Sequence, residues 1–303
     1  MTDLAELAAL AVRAAHAGAP ACCRGDTVTL ADRGDATVVR HGGVVAKAHA
    51  VDAGDGLAVR LGVAARLTGV LLPPLGPDPV ELHGRPVTFW PYGRPVDPDD
   101  PDAAPWEAVA TLLARLHRVS ARGLPVMRGP AKAARAVGRL AAVSHPAVAP
   151  VLRAWGRLPA WARAEAPMPD TGALCHGDLH LGQLVRHEGA WLLIDVDDLG
   201  GGVAAWDLAR PAAWYACGLL SGEEWGRFLA AYRLAGGPAV PADGDPWDAL
   251  DVPARALTVQ TAARAVAKAV AEDRPLDEVE VCTVDACARI SDLPPEPVHG
   301  NPT

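Results

Sequence analysis

Leu4, Leu7, Leu10, Ala11 and Ala14 recur at three- and four-residue intervals, the spacing that places apolar side chains on one face of a helix over residues 3 to 17. Gly18-Ala19-Pro20 breaks that pattern, and the period then changes. Thr27-Val28-Thr29-Leu30, Ala36-Thr37-Val38-Val39-Arg40 and Val44-Val45-Ala46-Lys47-Ala48-His49 are short β-type runs parted by Asp32-Arg33-Gly34-Asp35 and His41-Gly42-Gly43. They predict a three-stranded antiparallel meander. A helical segment from about 56 to 67 follows, then two more strands at Val80-Glu81-Leu82 and at Arg85 to Trp90, which completes five strands.

From Pro91 to Pro105 the chain is rich in Pro and Asp, has no periodicity and reads as a linker. Beyond it almost everything is helical. Trp106 to Val119 keeps Val109, Leu112, Leu113 and Leu116 on one face, and helical patterns cover 131 to 143, 149 to 163, 206 to 219, 222 to 235, 249 to 271 and 277 to 290. One island, residues 174 to 202, breaks the helices: two brief strands, Leu184-Val185-Arg186 and Trp191 to Ile194, flank the turn His187-Glu188-Gly189. The expected fold class is therefore α+β, a small sheet region over 1–91 before a mostly helical region over 92–303, and the length admits either one large domain or two lobes sharing a cleft.

Composition narrows the function. With 303 residues, half of them hydrophobic, the chain can bury a sizeable core, and a net charge of −8 argues against a polyanion-binding partner such as nucleic acid. The acidic N-terminus (Asp3, Glu6) is unlike a signal peptide and no apolar run is long enough to span a bilayer, so the expected location is the cytoplasm, with no membrane partner. Cys22, Cys23, Cys175, Cys217, Cys282 and Cys287 lack C-x-x-C spacing and read as reduced structural thiols. Lysine occurs only at 47, 132 and 268 among 28 basic residues, so each retained lysine invites a question about its role.

Chemistry concentrates in the island. It reads Cys175-His176-Gly177-Asp178-Leu179-His180-Leu181-Gly182-Gln183, and then Leu193-Ile194-Asp195-Val196-Asp197-Asp198. A hairpin between the two runs can aim Asp178, Gln183 and Asp195 into one cleft, giving two oxygen ligands for magnesium and one free carboxylate. His176 and His180 stand four apart, yet no third cluster completes a zinc site with Cys175. P-loop, dinucleotide-binding and serine-elbow motifs are all missing from the sequence.

At these residues the chain resembles the aminoglycoside phosphotransferase family, small-molecule relatives of eukaryotic-type protein kinases. The pattern stands here as H-G-D-L-H-L-G-Q followed by L-I-D-V-D-D, with further landmarks in Leu113 to His117 (L-A-R-L-H) and Trp206 to Ala209 (W-D-L-A). The resemblance implies a bilobal kinase-like fold with ATP, or GTP as an alternative donor, and Mg2+ in the cleft. It makes Asp178 the catalytic base, Gln183 and Asp195 the metal ligands, and Lys47 the phosphate-binding lysine. Phe89, Trp90 and Tyr92, with Pro91 between them, become the hinge whose backbone meets adenine, and the loop at Gly34 lies over the phosphates. By the same resemblance His176 and Asp207 are structural parts of the catalytic loop.

Two departures stand out. Gln183 replaces the usual asparagine, as in the H-L-G-Q of maltokinase-like members, and the helix over 56–67 offers Arg60 and Arg66 but no glutamate to pair with Lys47. The partner is a small-molecule hydroxyl acceptor: first an antibiotic of nucleoside, aminoglycoside or macrolide type, then a sugar or other metabolite. A nucleotide-binding pseudokinase is the competing reading. The acceptor walls are expected from Asp197, Asp198, Trp214, Glu223, Glu224 and Trp225, and from the helix near Glu272 and Asp273. Several acids suit a polycation, whereas the tryptophan faces tip the expectation toward an uncharged or nucleoside-like ring.

Overall fold

The computed structural model describes residues 4–17, 25–34, 36–97, 100, 104–169 and 171–292. The breaker Gly18-Ala19-Pro20, the vicinal Cys22 and Cys23, Asp35 and the linker residues 98–99 and 101–103 lie outside them.

Helix α1 (Leu4–Ala15) precedes the strands β1 (Thr27–Asp32), β2 (Thr37–His41) and β3 (Val44–Ala48). Helix α2 (Gly54–Arg66) then leads to β4 (Val80–Leu82) and β5 (Arg85–Pro91), and the five strands form one antiparallel sheet in the order β1-β2-β3-β5-β4. The alternation on β2 turns Val39 inward, where Leu7 and Ala11 of α1 close over it with Ala46, Ala48 and Val87. Removing the Leu7 side chain from this small core would cost about 2–5 kcal/mol. Helix α2 faces elsewhere. Leu57, Leu61 and Ala64, at i, i+4 and i+7, enter the large core of the helical region together with Trp90 of β5, so the two regions share packing.

The linker contains a strand that the pattern did not reveal, β6 (Arg94–Pro95), and it pairs with the hairpin of the island. Helices α3 (Trp106–His117), α4 (Gly129–Gly138) and α5 (Val148–Gly156) follow. The helix expected over 149–163 stops at Gly156; Pro159, with no N–H to donate, opens a turn in which the Ala162 N–H bonds its carbonyl. The island supplies β7 (Ala173–Cys175), β8 (Leu184–His187), β9 (Ala190–Leu193) and β10 (Gly200–Gly202). Strands β8 and β9 are the expected hairpin, while β7 and β10 pair with each other.

Helices α6 (Ala205–Ala216), α7 (Gly222–Leu234), α8 (Trp247–Ala271) and α9 (Glu278–Asp292) complete the helical region. Residues from every side of α8 are buried, Leu250, Ala254, Leu257, Val259, Ala262 and Val266 among them, which suits a central helix packed by α4, α5, α6 and α9. The expected α+β organisation holds, sheet first and helices after. Among the described residues no helix is long and apolar enough to cross a membrane.

Candidate active site

The catalytic loop is fastened from below. Asp207, at the start of α6 and fully buried, accepts the N–H groups of His176 (2.6 Å) and Gly177 (2.8 Å). It also accepts Nε2–H of His117, 3.0 Å away at the end of α3. That tautomer leaves His117 Nδ1 to accept from the Tyr232 hydroxyl, whose oxygen takes the Ala239 N–H. The two landmarks L-A-R-L-H and W-D-L-A are thus joined in one hydrogen-bonded support. His176 turns its Nε2 to the Ile194 carbonyl, 2.8 Å away, a backbone tether of the kind expected of it.

Gly177 sits at φ +85°, and a Cβ there would lie 2.5 Å from the Asp198 carbonyl oxygen, so only glycine lets the two loops approach. The next residue, Asp178, is buried. Its Oδ2 accepts from Lys132 Nζ at 2.6 Å, and its Oδ1 lies 3.5 Å from Arg210 Nη2. Burial pushes the Asp178 carboxyl up, but Lys132 and Arg210 outweigh it and hold the group below the ordinary carboxylate range. Burial lowers the neighbouring His180 to about 4 despite Asp178, so its imidazole is neutral at pH 7.

At the end of the hairpin Asp195 adopts φ +66°, a left-handed conformation rare outside glycine, which turns its carboxylate back toward the sheet. Lys47 of β3 meets it there. Its Nζ lies 2.7 Å from Asp195 and 2.9 Å from Asp197, and although burial opposes the charge, the two carboxylates raise the lysine's pKa. The lysine partner missing from α2 is therefore supplied two residues beyond the metal-position aspartate. Gln183 points its amide at Asp195, with Nε2 3.4 Å from Oδ2. Asp197 is also bonded by Nδ1–H of His49 (2.7 Å), whose Nε2 accepts from Thr88, which in turn accepts the indole N–H of Trp90.

Several expected wall residues are engaged otherwise. Asp197 faces Lys47 and His49, and Asp198 faces Lys132 at 2.7 Å, so neither is an open acidic rim. Trp225 is 6% exposed and stacks on Phe228 within the core. Glu224 closes a capping box with Ser221 at the start of α7 and accepts the Trp106 indole N–H, while Glu223 is exposed beside it. Glu272 pairs with Arg274. Of that set Trp214 lines a narrow crevice beside the catalytic loop, with Trp106, Leu179, His180, Leu181 and Arg210.

On the nucleotide side, the Tyr92 N–H bonds the Gly43 carbonyl and the Phe89 carbonyl accepts from Leu75, while Pro91 has no N–H. Those backbone groups of the expected hinge are already bonded within the protein. The Trp90 indole is buried and the Tyr92 ring carries the Arg40 guanidinium 3.4 Å from its centroid. Gly34 lies exposed in the β1–β2 turn, with open space around it. Lys132 is the site residue that the motifs did not single out; its only signal is the scarcity of lysine. Among the described residues no group of three or more His, Cys, Asp or Glu is arranged to hold a metal ion by itself.

A five-stranded sheet over a helical region, with a lysine strand and two aspartate loops meeting between them, is the protein-kinase-like fold in its small-molecule phosphotransferase form. The model of the APH phosphotransferase enzyme family matches residues 39–250, and the chain belongs to that family. Solved structures share the fold at low identity. The amicoumacin kinase hAmiN, in complex with AMP-PNP, Ca2+ and amicoumacin, is 16% identical with a TM-score of 0.62 over 88% of each chain. The aminoglycoside phosphotransferase APH(4)-Ia, in a ternary complex with AMP-PNP and hygromycin B, is 15% identical with a TM-score of 0.58 over 88% of this chain and 94% of its own. A choline/ethanolamine kinase family protein from Mesorhizobium loti is 18% identical with a TM-score of 0.56 over 93% and 94%. No curated protein matches the sequence.

Proposed function

We propose that the protein transfers the γ-phosphoryl group of ATP to a hydroxyl of a small molecule with Mg2+, residues 1–91 holding the nucleotide and residues 92–303 the acceptor. One observation carries this reading: two ion-paired clusters, Lys47 with Asp195 and Asp197 and Lys132 with Asp178 and Asp198, stand side by side through the chain neighbours Asp197 and Asp198. It brings near one another the lysine that would bind phosphate, the carboxylate that would bind metal and the carboxylate that would act as base. Asp195 and Gln183 offer hard oxygen donors, the one or two protein ligands that Mg2+ takes when phosphates and water supply the rest. Bound there, the ion would neutralise phosphate charge.

The chain's own residues do the remaining work. Asp178 orients the acceptor hydroxyl, whose oxygen attacks the γ-phosphorus; the bond from that phosphorus to the bridging oxygen breaks, ADP leaves with the electron pair, and the hydroxyl proton passes to the Asp178 carboxylate. Lys47 presents positive charge to the phosphates. The two carboxylates on Lys47 remove one ground for the pseudokinase reading, the absent helix glutamate.

The acceptor we favour is an uncharged or nucleoside-like hydroxylated ring, with an antibiotic of that kind ahead of a polycationic aminoglycoside. Asp197, Asp198 and Glu224 are already engaged, which leaves few carboxylates to pair several ammonium groups, whereas the half-buried Trp214 borders the catalytic loop. The purified protein with Mg-ATP and a panel of hydroxylated antibiotics and sugars, followed by acceptor mass, tests this. Phosphorylated product that vanishes with EDTA is expected. Nucleotide binding without turnover on any acceptor, water included, would leave a pseudokinase.

A further inference from the structure

Lys132 stands on α4, outside every motif that carries the family resemblance, and is nevertheless seated against the catalytic loop. Its Nζ lies 2.6 Å from Oδ2 of Asp178 and 2.7 Å from Oδ2 of Asp198. The three side chains are 19%, 8% and 10% exposed, so two buried carboxylates share one cation. Removing one partner from such a group leaves charge uncompensated.

The framework around them fixes that geometry. Gly129, at the start of α4, rests on the Trp206 indole so closely that a Cβ would lie 2.2 Å from Nε1. The Arg128 N–H bonds the Asp198 carbonyl at 3.2 Å, and the Lys132 N–H bonds the Arg128 carbonyl at 2.9 Å. Trp206 therefore seats the helix that bears Lys132, while its neighbour Asp207 holds the loop that bears Asp178. Two consecutive residues of α6 register the lysine against the carboxylate. A surface lysine on a solvated helix face would have no such framework.

The two oxygens of Asp178 are not equivalent. Oδ2 is gripped by Lys132 at 2.6 Å, whereas among the described residues Oδ1 is approached by the Arg210 guanidinium at 3.5 Å, a long contact. We propose that Lys132 is a positioning residue for phosphoryl transfer, holding Oδ2 of Asp178 so that Oδ1 is the oxygen presented to the acceptor hydroxyl. Arg210 secures the loop behind it, through Nε to the Leu179 carbonyl at 2.9 Å. The raised pKa of Lys132, to which Asp178 and Asp198 contribute against its burial, keeps it cationic throughout the working range.

This inference rests on the phosphotransferase reading, and the experiment separates the two. Basal hydrolysis of Mg-ATP, in which water takes the γ-phosphoryl group and ADP leaves, is measured for wild type, Lys132→Met, Lys132→Arg and Lys132→Ala, with AMP-PNP binding and Tm for each. Lys268→Met is the control, a lysine whose side chain is 64% exposed on α8. Misplacing a reacting group by about 1 Å can cost roughly a hundredfold. Lys132→Met is expected to lose about that much in kcat while KM for ATP and AMP-PNP affinity stay within about threefold. Lys132→Arg should recover part of the loss, and ethylammonium should raise kcat of Lys132→Ala saturably without changing its Tm. A folded Lys132→Met with kcat within about twofold of wild type overturns the proposal. So do variants whose turnover falls only in step with AMP-PNP binding and Tm, the mark of a structural lysine. A wild type that hydrolyses no ATP and phosphorylates no acceptor overturns the phosphotransferase reading itself, and the inference with it.

Discussion

Two lysines sit at the cleft, each between two aspartates, and the halves they serve are built differently. Lys47 arrives on a strand of the sheet, with Asp195 and Asp197 as partners, and the His49 imidazole also reaches Asp197. Lys132 arrives on a helix, and its aspartates are also approached by Arg210 at 3.5 Å and by Arg128 at 3.9 Å. The sheet-side ion pairs set one lysine against two carboxylates, whereas on the helix side Lys132, Arg128 and Arg210 approach two carboxylates, which are thereby fully matched. A site that lacks one positive charge suits a divalent cation accompanied by phosphates; a matched site suits a neutral acceptor. The difference is in keeping with the proposal that metal and nucleotide bind one half and the acceptor the other.

The largest effect should come from the surplus charge. Asp195→Ala removes a proposed metal ligand and one of the two anions on Lys47, so turnover should be lost and Mg2+ should no longer tighten AMP-PNP binding, as read by titration calorimetry. Normal turnover in that variant would end the assignment of the metal to the sheet side. Asp178→Asn should come next. It keeps the shape on the matched side but removes the base, and kcat should fall by at least about a hundredfold with nucleotide affinity within a few-fold.

Lys47 ranks third. Lys47→Met should raise KM for ATP by about tenfold, because the phosphates lose a point charge on the side where negative charge is already in surplus, and Lys47→Arg should restore it poorly, since a planar fork does not fit where a compact ammonium sits between two carboxylates. Unchanged ATP kinetics in both variants would reduce the lysine to a strut between lobes.

Much of this was legible in the sequence because its carriers are local. Period-two runs set the sheet, and H-G-D, I-D and W-D-L-A stand as contiguous motifs. What was not legible is tertiary. The acid for Lys47 was sought on α2 and lies in the loop after Asp195, because the left-handed turn at Asp195 swings Asp197 back toward the sheet. Lys132 could not be placed from sequence, since its contact depends on how α4 is seated on Trp206. Trp225 looked like a platform for a ring, yet its stacking on Phe228 serves the core, and a tryptophan of the same composition, Trp214, borders the loop instead. The Gly200-Gly201-Gly202 run forms β10, paired with β7, because the segment at Pro125 to Met127 approaches too closely for a side chain at Gly200.

The smallest effect tests whether the helix side has acids in reserve. Glu224 was a candidate for binding cationic acceptors, but its carboxylate accepts both the backbone N–H and the hydroxyl of Ser221, while the Ser221 hydroxyl oxygen accepts the Glu224 N–H. These bonds satisfy donors that the first turn of α7 would otherwise leave to water, and they lower the Glu224 carboxyl's pKa. Glu224→Ala and Ser221→Ala should each cost roughly 1 kcal/mol, a fall of about 2 °C in Tm, with turnover unchanged on whichever acceptor the panel identifies. Glu224 also accepts the Trp106 indole N–H at 3.2 Å, so its variant should lose slightly more than the serine's. If Glu224→Ala instead leaves Tm untouched and raises KM for a multiply charged acceptor in a salt-sensitive way, the carboxylate faces the ligand, and the helix side is not the balanced half described here.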